Sequence, residues 1–80
     1  MKQIMNKTTT YRVDEHYLVD IVEFPDNLKE AWLYHDSYGT KTFMFGTCME
    51  TLSSFLEIVE RNLPDYIKTY NQEYVDIIDV

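Results

Sequence analysis

The sequence predicts an α+β fold, in which an antiparallel meander of three strands, with a fourth as an alternative, is packed on one face by two C-terminal helices. Stretches rich in Thr, Tyr, Val and Ile, which favour strands, fill the first half of the 80-residue chain. Apolar residues at helical spacing fill the second half. Strands followed by helices are typical of the α+β class.

We expect a frayed N-terminus over residues 1–7 and a single domain over residues 8–80, because a chain of 80 residues lies within the roughly 50–250 residues of one domain. Residues 8–24 predict a short strand and a longer one, with a bend at Asp14 and Glu15. Pro25 and the residues after it then form a turn.

The next stretch predicts a β-hairpin, because two β-rich runs flank a four-residue loop, residues 36–39, which ends in a glycine. The implied register places Trp32 opposite Phe43 and Glu30 opposite Phe45. We expect the more aromatic face to be the core, with Trp32, Tyr34, Phe43 and Phe45. The other face carries Ala31, Leu33 and Met44.

Gly46 is expected to end the sheet. Thr47 and Glu50 match a capping box, Thr-x-x-Glu, and predict an amphipathic helix over residues 48–62. Pro64 is expected to interrupt it, because the residue before a proline resists helical geometry. A second helix follows over residues 65–78, and a final strand over residues 74–80 is the alternative.

The 14 acidic residues outnumber the seven basic ones, and the formal charge is −7. This charge argues against direct binding of nucleic acid, whose phosphates need a basic surface. One cysteine cannot form an internal disulfide, and it suits a reducing cytoplasm. No apolar run has the length of a membrane span.

Candidate catalytic groups are few, and we predict neither an enzyme nor a cofactor. Cys48 would start a helix and could act as a nucleophile with His16 or His35 as base, but a buried structural role is favoured. The same histidines with Asp14, Glu15 and Asp36 offer metal ligands. Their spacing fits no known ligand pattern, so no metal site is predicted. Most acids fall on outer faces; Asp20 and Glu23 are the exceptions.

The acidic helix faces are the strongest functional signal. Acids three residues apart lie about 4.5 Å apart along a helix axis, close to the ~3.4 Å spacing of charges along one DNA strand. Such a row imitates phosphates, although a solvated face that keeps the protein soluble is the alternative. Tyr38 at the hairpin tip is the best exposed aromatic anchor. The predicted partner-binding residues are Asp36, Tyr38, Glu57, Glu60, Glu73, Asp76 and Asp79.

In size, acidity and order of strands and helices, the chain resembles the small anti-CRISPR proteins of phages and other mobile elements, without a shared motif. The resemblance implies a non-enzymatic inhibitor that occupies a basic nucleic-acid-binding surface of a larger effector. Its partner would be a larger basic protein or a nucleoprotein complex. Bacterial immunity proteins and antitoxins share this appearance. A homodimer, or a subunit of a larger assembly, is the alternative.

Overall fold

The computed structural model describes residues 6–75, which form one four-stranded antiparallel sheet and one long helix. The order of strands in the sheet follows the chain, so the sheet is a simple meander. The predicted α+β class is confirmed, and the fourth strand is present. The elements are β1 (Lys7–Arg12), β2 (Tyr17–Glu23), a 3-10 turn (Pro25–Asn27), β3 (Leu28–His35), β4 (Thr42–Cys48), α1 (Leu52–Tyr70) and a π turn (Asn71–Val75).

The prediction of two C-terminal helices is wrong, because α1 continues through Pro64. Proline removes one backbone hydrogen bond from a helix. The apolar stripe, however, continues from Leu63 to Tyr66 and Tyr70, and all three pack on the core. Burial of this stripe outweighs the lost bond, since tertiary packing supplies most of the stability of protein helices. Residues 76–80, which include part of the predicted second helix, lie outside the described residues.

The start of the helix also differs from the prediction. β4 does not end at Gly46 but continues to Cys48, which pairs with Leu28. Thr47 therefore lies in a strand and cannot cap a helix. The N-cap is Thr51, whose Oγ1 accepts a hydrogen bond from the backbone N–H of Ser54 at 3.1 Å. Between residues 6 and 75, no helix has both the length and the apolarity that a membrane span requires.

The predicted hairpin register is confirmed next to the connecting loop and is wrong further along the strands. Trp32 pairs with Phe43 as predicted, but a bulge next to this pair shifts the register, so that Phe45 pairs with Ala31. Met44 is the extra residue of the bulge. Gly39 has a φ of +74° and its N–H donates to the carbonyl of His35, which explains the glycine in this loop.

The helix covers the opposite face of the sheet from the one we predicted. The core contains small and branched strand side chains under the large rings of the helix. Phe43 on the predicted core face is 50% exposed. Phe45 is the exception: the bulge turns its ring toward the helix, 5.3 Å from that of Phe55. The buried core residues are Tyr17, Val19, Ile21, Ala31, Leu33, Met44, Phe55, Val59 and Tyr70.

Truncation of two phenylalanines will distinguish the covered face from the open one. Phe55→Ala is expected to reduce the free energy of unfolding by about 3–5 kcal/mol, because it leaves a cavity under the helix. Phe43→Ala is expected to cost less than about 1 kcal/mol, the usual worth of an exposed cross-strand pair. Urea unfolding followed by circular dichroism measures both. A larger loss for Phe43→Ala would contradict this assignment of the core.

Candidate functional site

Two connections meet at one end of the sheet. The turn between β1 and β2, residues 13–16, lies beside the loop between β3 and β4, residues 36–41, because Tyr17 pairs with His35. The N–H of Asp36 also donates to the carbonyl of His16 at 2.9 Å. We call this region, together with residues 71–75, the loop end.

The C-terminal end of the helix is attached to the loop end by tyrosines. The Tyr70 hydroxyl donates to the carbonyl of Thr40 at 2.6 Å. The Tyr17 hydroxyl donates to Oδ1 of Asn71. The rings of Tyr17 and Tyr70 meet edge to face, with centroids 5.6 Å apart. These contacts bring Glu73, in the π turn, to the same end of the molecule as Asp36.

The loop end is acidic and carries an exposed aromatic side chain. Four exposed acidic residues lie here, Asp14, Glu15, Asp36 and Glu73. Two basic residues lie at this end: Arg12 donates to the carbonyl of Glu15 and lies 3.5 Å from Asp36, and Lys41 is paired with Asp20. Tyr38 is 37% exposed, and its ring packs edge-on against that of His35.

The carboxylate of Asp36 is the centre of the charges at the loop end. Partial desolvation raises its pKa, but a hydrogen bond from Ser37, the neighbouring His16 and His35, and a hydrogen bond from Arg12 together lower it below its ordinary value. Asp36 therefore stays negative well into the acidic range.

Two histidines lie against this carboxylate. Nδ1 of His16 lies 3.8 Å from Oδ1 of Asp36, and Nδ1 of His35 lies 3.5 Å from the same oxygen. The two imidazole rings are stacked, with centroids 5.4 Å apart. The sequence offered these residues as metal ligands without a recognisable spacing. The pairing of β2 with β3 brings them together.

The outer face of the helix differs from the acidic row that the sequence suggested. Glu57 and Glu60 are exposed there, but so are Arg61 and Lys68. The helix Leu52–Tyr70 contains three acidic and two basic residues, so its charges largely cancel. Glu60 is ten residues before Tyr70, where the helix reaches the loop end, and is separated from it by about 15 Å of helix axis.

The structure thus divides the predicted partner-binding residues. Asp36, Tyr38 and Glu73 lie at the same end of the molecule, whereas Glu57 and Glu60 lie apart on the helix. Asp76 and Asp79 lie outside the described residues.

The second notable surface is the face of the sheet that the helix leaves uncovered, which we call the open face. Most of its large side chains are half-buried. The rings of Trp32 and Phe43 pack edge to face, with centroids 5.2 Å apart. The apolar members of the open face are Leu18, Val22, Trp32, Tyr34 and Phe43.

A carboxylate is buried at the centre of the open face. Asp20 is 5% exposed and accepts three side-chain hydrogen bonds. Oδ1 accepts from the hydroxyl of Thr10 at 2.6 Å and from that of Tyr34 at 3.1 Å. Oδ2 accepts from Nζ of Lys41 at 2.7 Å. Burial raises the pKa of Asp20, but the bonds from Lys41, Thr10 and Tyr34 outweigh it and lower the pKa.

The sequence hinted at this network only through an acid that interrupts an apolar strand, LVDIV. Its partners lie ten, 14 and 21 residues away from Asp20 along the chain. No short spacing therefore links them. Lys41 lies in the hairpin loop, and the Nζ of Lys41 also lies 5.0 Å from the ring centroid of Tyr34.

The structure does not bring the candidate nucleophile, Cys48, close to His35. Cys48 lies at the end of β4 and is exposed, so the expectation of a buried residue on a helix is wrong. It pairs with Leu28, at the opposite end of β3 from His35. At about 3.3 Å per residue, the strand separates these two positions by about 23 Å.

No protein-family model matches the chain, and neither a curated protein nor a solved structure is significantly similar to it. The surfaces described above are therefore interpreted from their own geometry.

The buried carboxylate predicts a pH-dependent contribution to stability. Because the pKa of Asp20 is lowered by folding, the charged group stabilises the fold above its unfolded pKa of about 3.9. This contribution is lost as the pH falls through the folded pKa. Asp20→Asn is expected to cost about 1–3 kcal/mol at pH 7, since an amide cannot accept all three bonds.

The measurement is urea unfolding of the wild type and Asp20→Asn at pH 7 and pH 3. The difference in the free energy of unfolding between wild type and Asp20→Asn should be smaller at pH 3 than at pH 7. Asp65→Asn, at an exposed helix position, serves as the control and should change stability little at either pH. An equal difference between wild type and Asp20→Asn at both pH values would contradict the role of the charged form.

Proposed function

We propose that this chain is a non-enzymatic binding protein that occupies a basic, nucleic-acid-binding surface of a larger effector, as anti-CRISPR-type inhibitors do. The observation that carries the proposal is the presence of four exposed acids and the exposed Tyr38 at the same end of the sheet. Asp14, Glu15, Asp36 and Glu73 come from three separate segments of the chain. Their shared location concentrates negative charge around an aromatic anchor.

The chemistry of the loop end suits a basic protein partner. Carboxylates around the edge of a contact attract a positive surface and raise the association rate. A tyrosine inserted at the centre supplies apolar area and a hydroxyl for hydrogen bonding, as in many interface hot spots. Arg12 neutralises only part of the charge, because it lies beside one of the four acids.

The net charge of the whole chain also favours a basic partner. A protein with a formal charge of −7 is repelled by phosphate backbones and attracted to the surfaces that bind them. The proposed partner is therefore a larger basic protein or a nucleoprotein complex, and not nucleic acid itself. The helix face has mixed charge, so the proposal places the principal contact at the loop end.

Two sets of charge-removing variants test where the contact lies. Combining Asp14→Asn, Asp36→Asn and Glu73→Gln removes three charges from the loop end. Combining Glu57→Gln and Glu60→Gln removes two from the helix as the control. We expect the first set to slow association by about tenfold or more at low salt, because steering accelerates association by 10–1,000-fold. The control set should slow it less than threefold.

The probe is a panel of purified CRISPR effector complexes loaded with guide RNA. Biolayer interferometry measures association at several salt concentrations, and a gel-shift assay measures displacement of target DNA. Association should weaken steeply as salt rises. Failure to bind or inhibit any member of the panel would overturn the anti-CRISPR part of the proposal. Binding that is indifferent to salt and to both variant sets would overturn the electrostatic part.

A homodimer is the second candidate function, and the open face favours it. The sequence predicts dimerisation through the face with Leu33 and Met44 or through an edge strand, and the helix covers that face. The uncovered face instead presents Phe43, 50% exposed, beside Trp32. β4, which carries Phe43, is also an edge strand, whose free backbone groups can pair with a second chain.

Sedimentation velocity tests this candidate on the pure protein. A dimer through the open face should persist at high salt and dissociate in Phe43→Glu, which buries a charge in the contact. Thr69→Glu, at an exposed helix position, is the matched control and should leave the dimer intact. A monomeric wild type at a concentration of about 100 μM would overturn the homodimer; standard dimer interfaces bury enough surface for micromolar affinity or better.

A further inference from the structure

We propose that His16, His35 and Asp36 form a binding site for a divalent transition-metal ion such as Zn²⁺. One ligand atom from each of the three side chains lies within 4.8 Å of the others. His16 lies in the turn between β1 and β2, His35 is the last residue of β3, and Asp36 is the first residue of the following loop. A bound ion would therefore link the turn between β1 and β2 to the loop between β3 and β4.

The distances from Asp36 to the two histidines are close to those of an assembled site. Ligand atoms about 2.0–2.2 Å from a tetrahedral zinc ion lie about 3.3–3.5 Å from each other. Oδ1 of Asp36 lies 3.5 Å from Nδ1 of His35 and 3.8 Å from Nδ1 of His16. The His16 and His35 rings are stacked, so His16 must turn out of this stack to point its Nδ1 lone pair at the ion, and its side chain, 58% exposed, has room to do so.

His35 is held in position before any ion arrives. Its side chain is 12% exposed and packs between the rings of Tyr17 and Tyr38. Nδ1 accepts a hydrogen bond from the N–H of Ser37 at 3.0 Å, so this nitrogen carries a lone pair. Metal binding at Nδ1 replaces that bond, and the exposed amide of Ser37 then turns to water.

The carboxylate of Asp36 is oriented by the groups around it. Arg12 lies 3.5 Å from Oδ2, the oxygen that the histidines do not approach. The hydroxyl of Ser37 donates to Oδ1 at 3.3 Å. An outer hydrogen-bonding group of this kind commonly fixes a metal-binding carboxylate. The positive charge of Arg12 opposes a cation, whereas the exposed Asp14 and Glu15 nearby favour one.

The donor set selects the class of metal. Two imidazoles and one carboxylate suit Zn²⁺, Co²⁺ or Ni²⁺, whereas Mg²⁺ and Ca²⁺ prefer oxygen ligands alone. Three protein ligands leave one tetrahedral position open for water or an added ligand.

The test is metal titration of the untagged protein in a Cys48→Ser background, which removes the exposed thiol. Co²⁺ should produce the visible absorption bands of a low-symmetry site, and calorimetry with Zn²⁺ should give a dissociation constant in the micromolar range. The amide resonance of Ser37 should shift on addition of Zn²⁺. Saturating Zn²⁺ should raise the melting temperature by several degrees.

Variants at exposed positions keep the test independent of folding. His16→Ala should weaken Zn²⁺ binding at least tenfold and abolish the cobalt bands, because a ligand is lost. Asp14→Asn is the matched control, since it removes a nearby charge but no ligand, and should change affinity less than threefold. A zinc dissociation constant above about 1 mM, or unchanged affinity in His16→Ala, would overturn the proposal. These measurements need no protein partner, so their outcome is separate from that of the proposed function.

Discussion

The packing of a single helix on a single face of the sheet determines the rest of this structure. Phe55, Val59 and Tyr70 are buried against the face that carries Ile21 and Leu33. Removing this apolar surface from water is the main favourable term in folding a chain of this size. With only one helix in the described residues, the other face must be shielded by its own side chains.

The open face has a polar centre, unlike most apolar surfaces that bind a partner. Asp20 on β2 accepts hydrogen bonds from Thr10 on β1 and Tyr34 on β3, and from Lys41 in the following loop. These bonds join three strands and one connection through a single carboxylate. A shift of register by one residue would leave that charge without its donors, at a large cost in a buried position. The network thus favours one register of the strands.

Much of the fold could be predicted from the sequence because its strands have local signals. The loop that ends in Gly39 determined the pairing of Trp32 with Phe43 correctly. The bulge at Met44 has no such signal, and it reversed the facing of Phe45. The choice of core face failed because both faces carry apolar side chains, and their pattern along the strands does not indicate which face the helix covers. Pro64 failed as a boundary because the buried stripe continues past it.

The candidate site was predictable in its residue types and not in its arrangement. Tyr38 and Asp36 were identified from a hairpin tip, which is exposed in almost any fold. Their proximity to Glu73 depends on where the helix ends, and that end was misplaced. His16 and His35 are 19 residues apart in the sequence, and only the antiparallel pairing of their strands joins them. Contacts between distant segments follow from the topology of the sheet, which short sequence motifs do not reveal.

The hydrogen bonds of Tyr70 to Thr40 and of Tyr17 to Asn71 have a consequence for recognition. They anchor a surface loop to the terminal turn of the helix, so neither segment moves without the other. Flexible loops lose conformational entropy when a complex forms, and this loss weakens affinity. Here much of that ordering has already occurred during folding. A complex formed through the loop end would therefore need little rearrangement of the backbone.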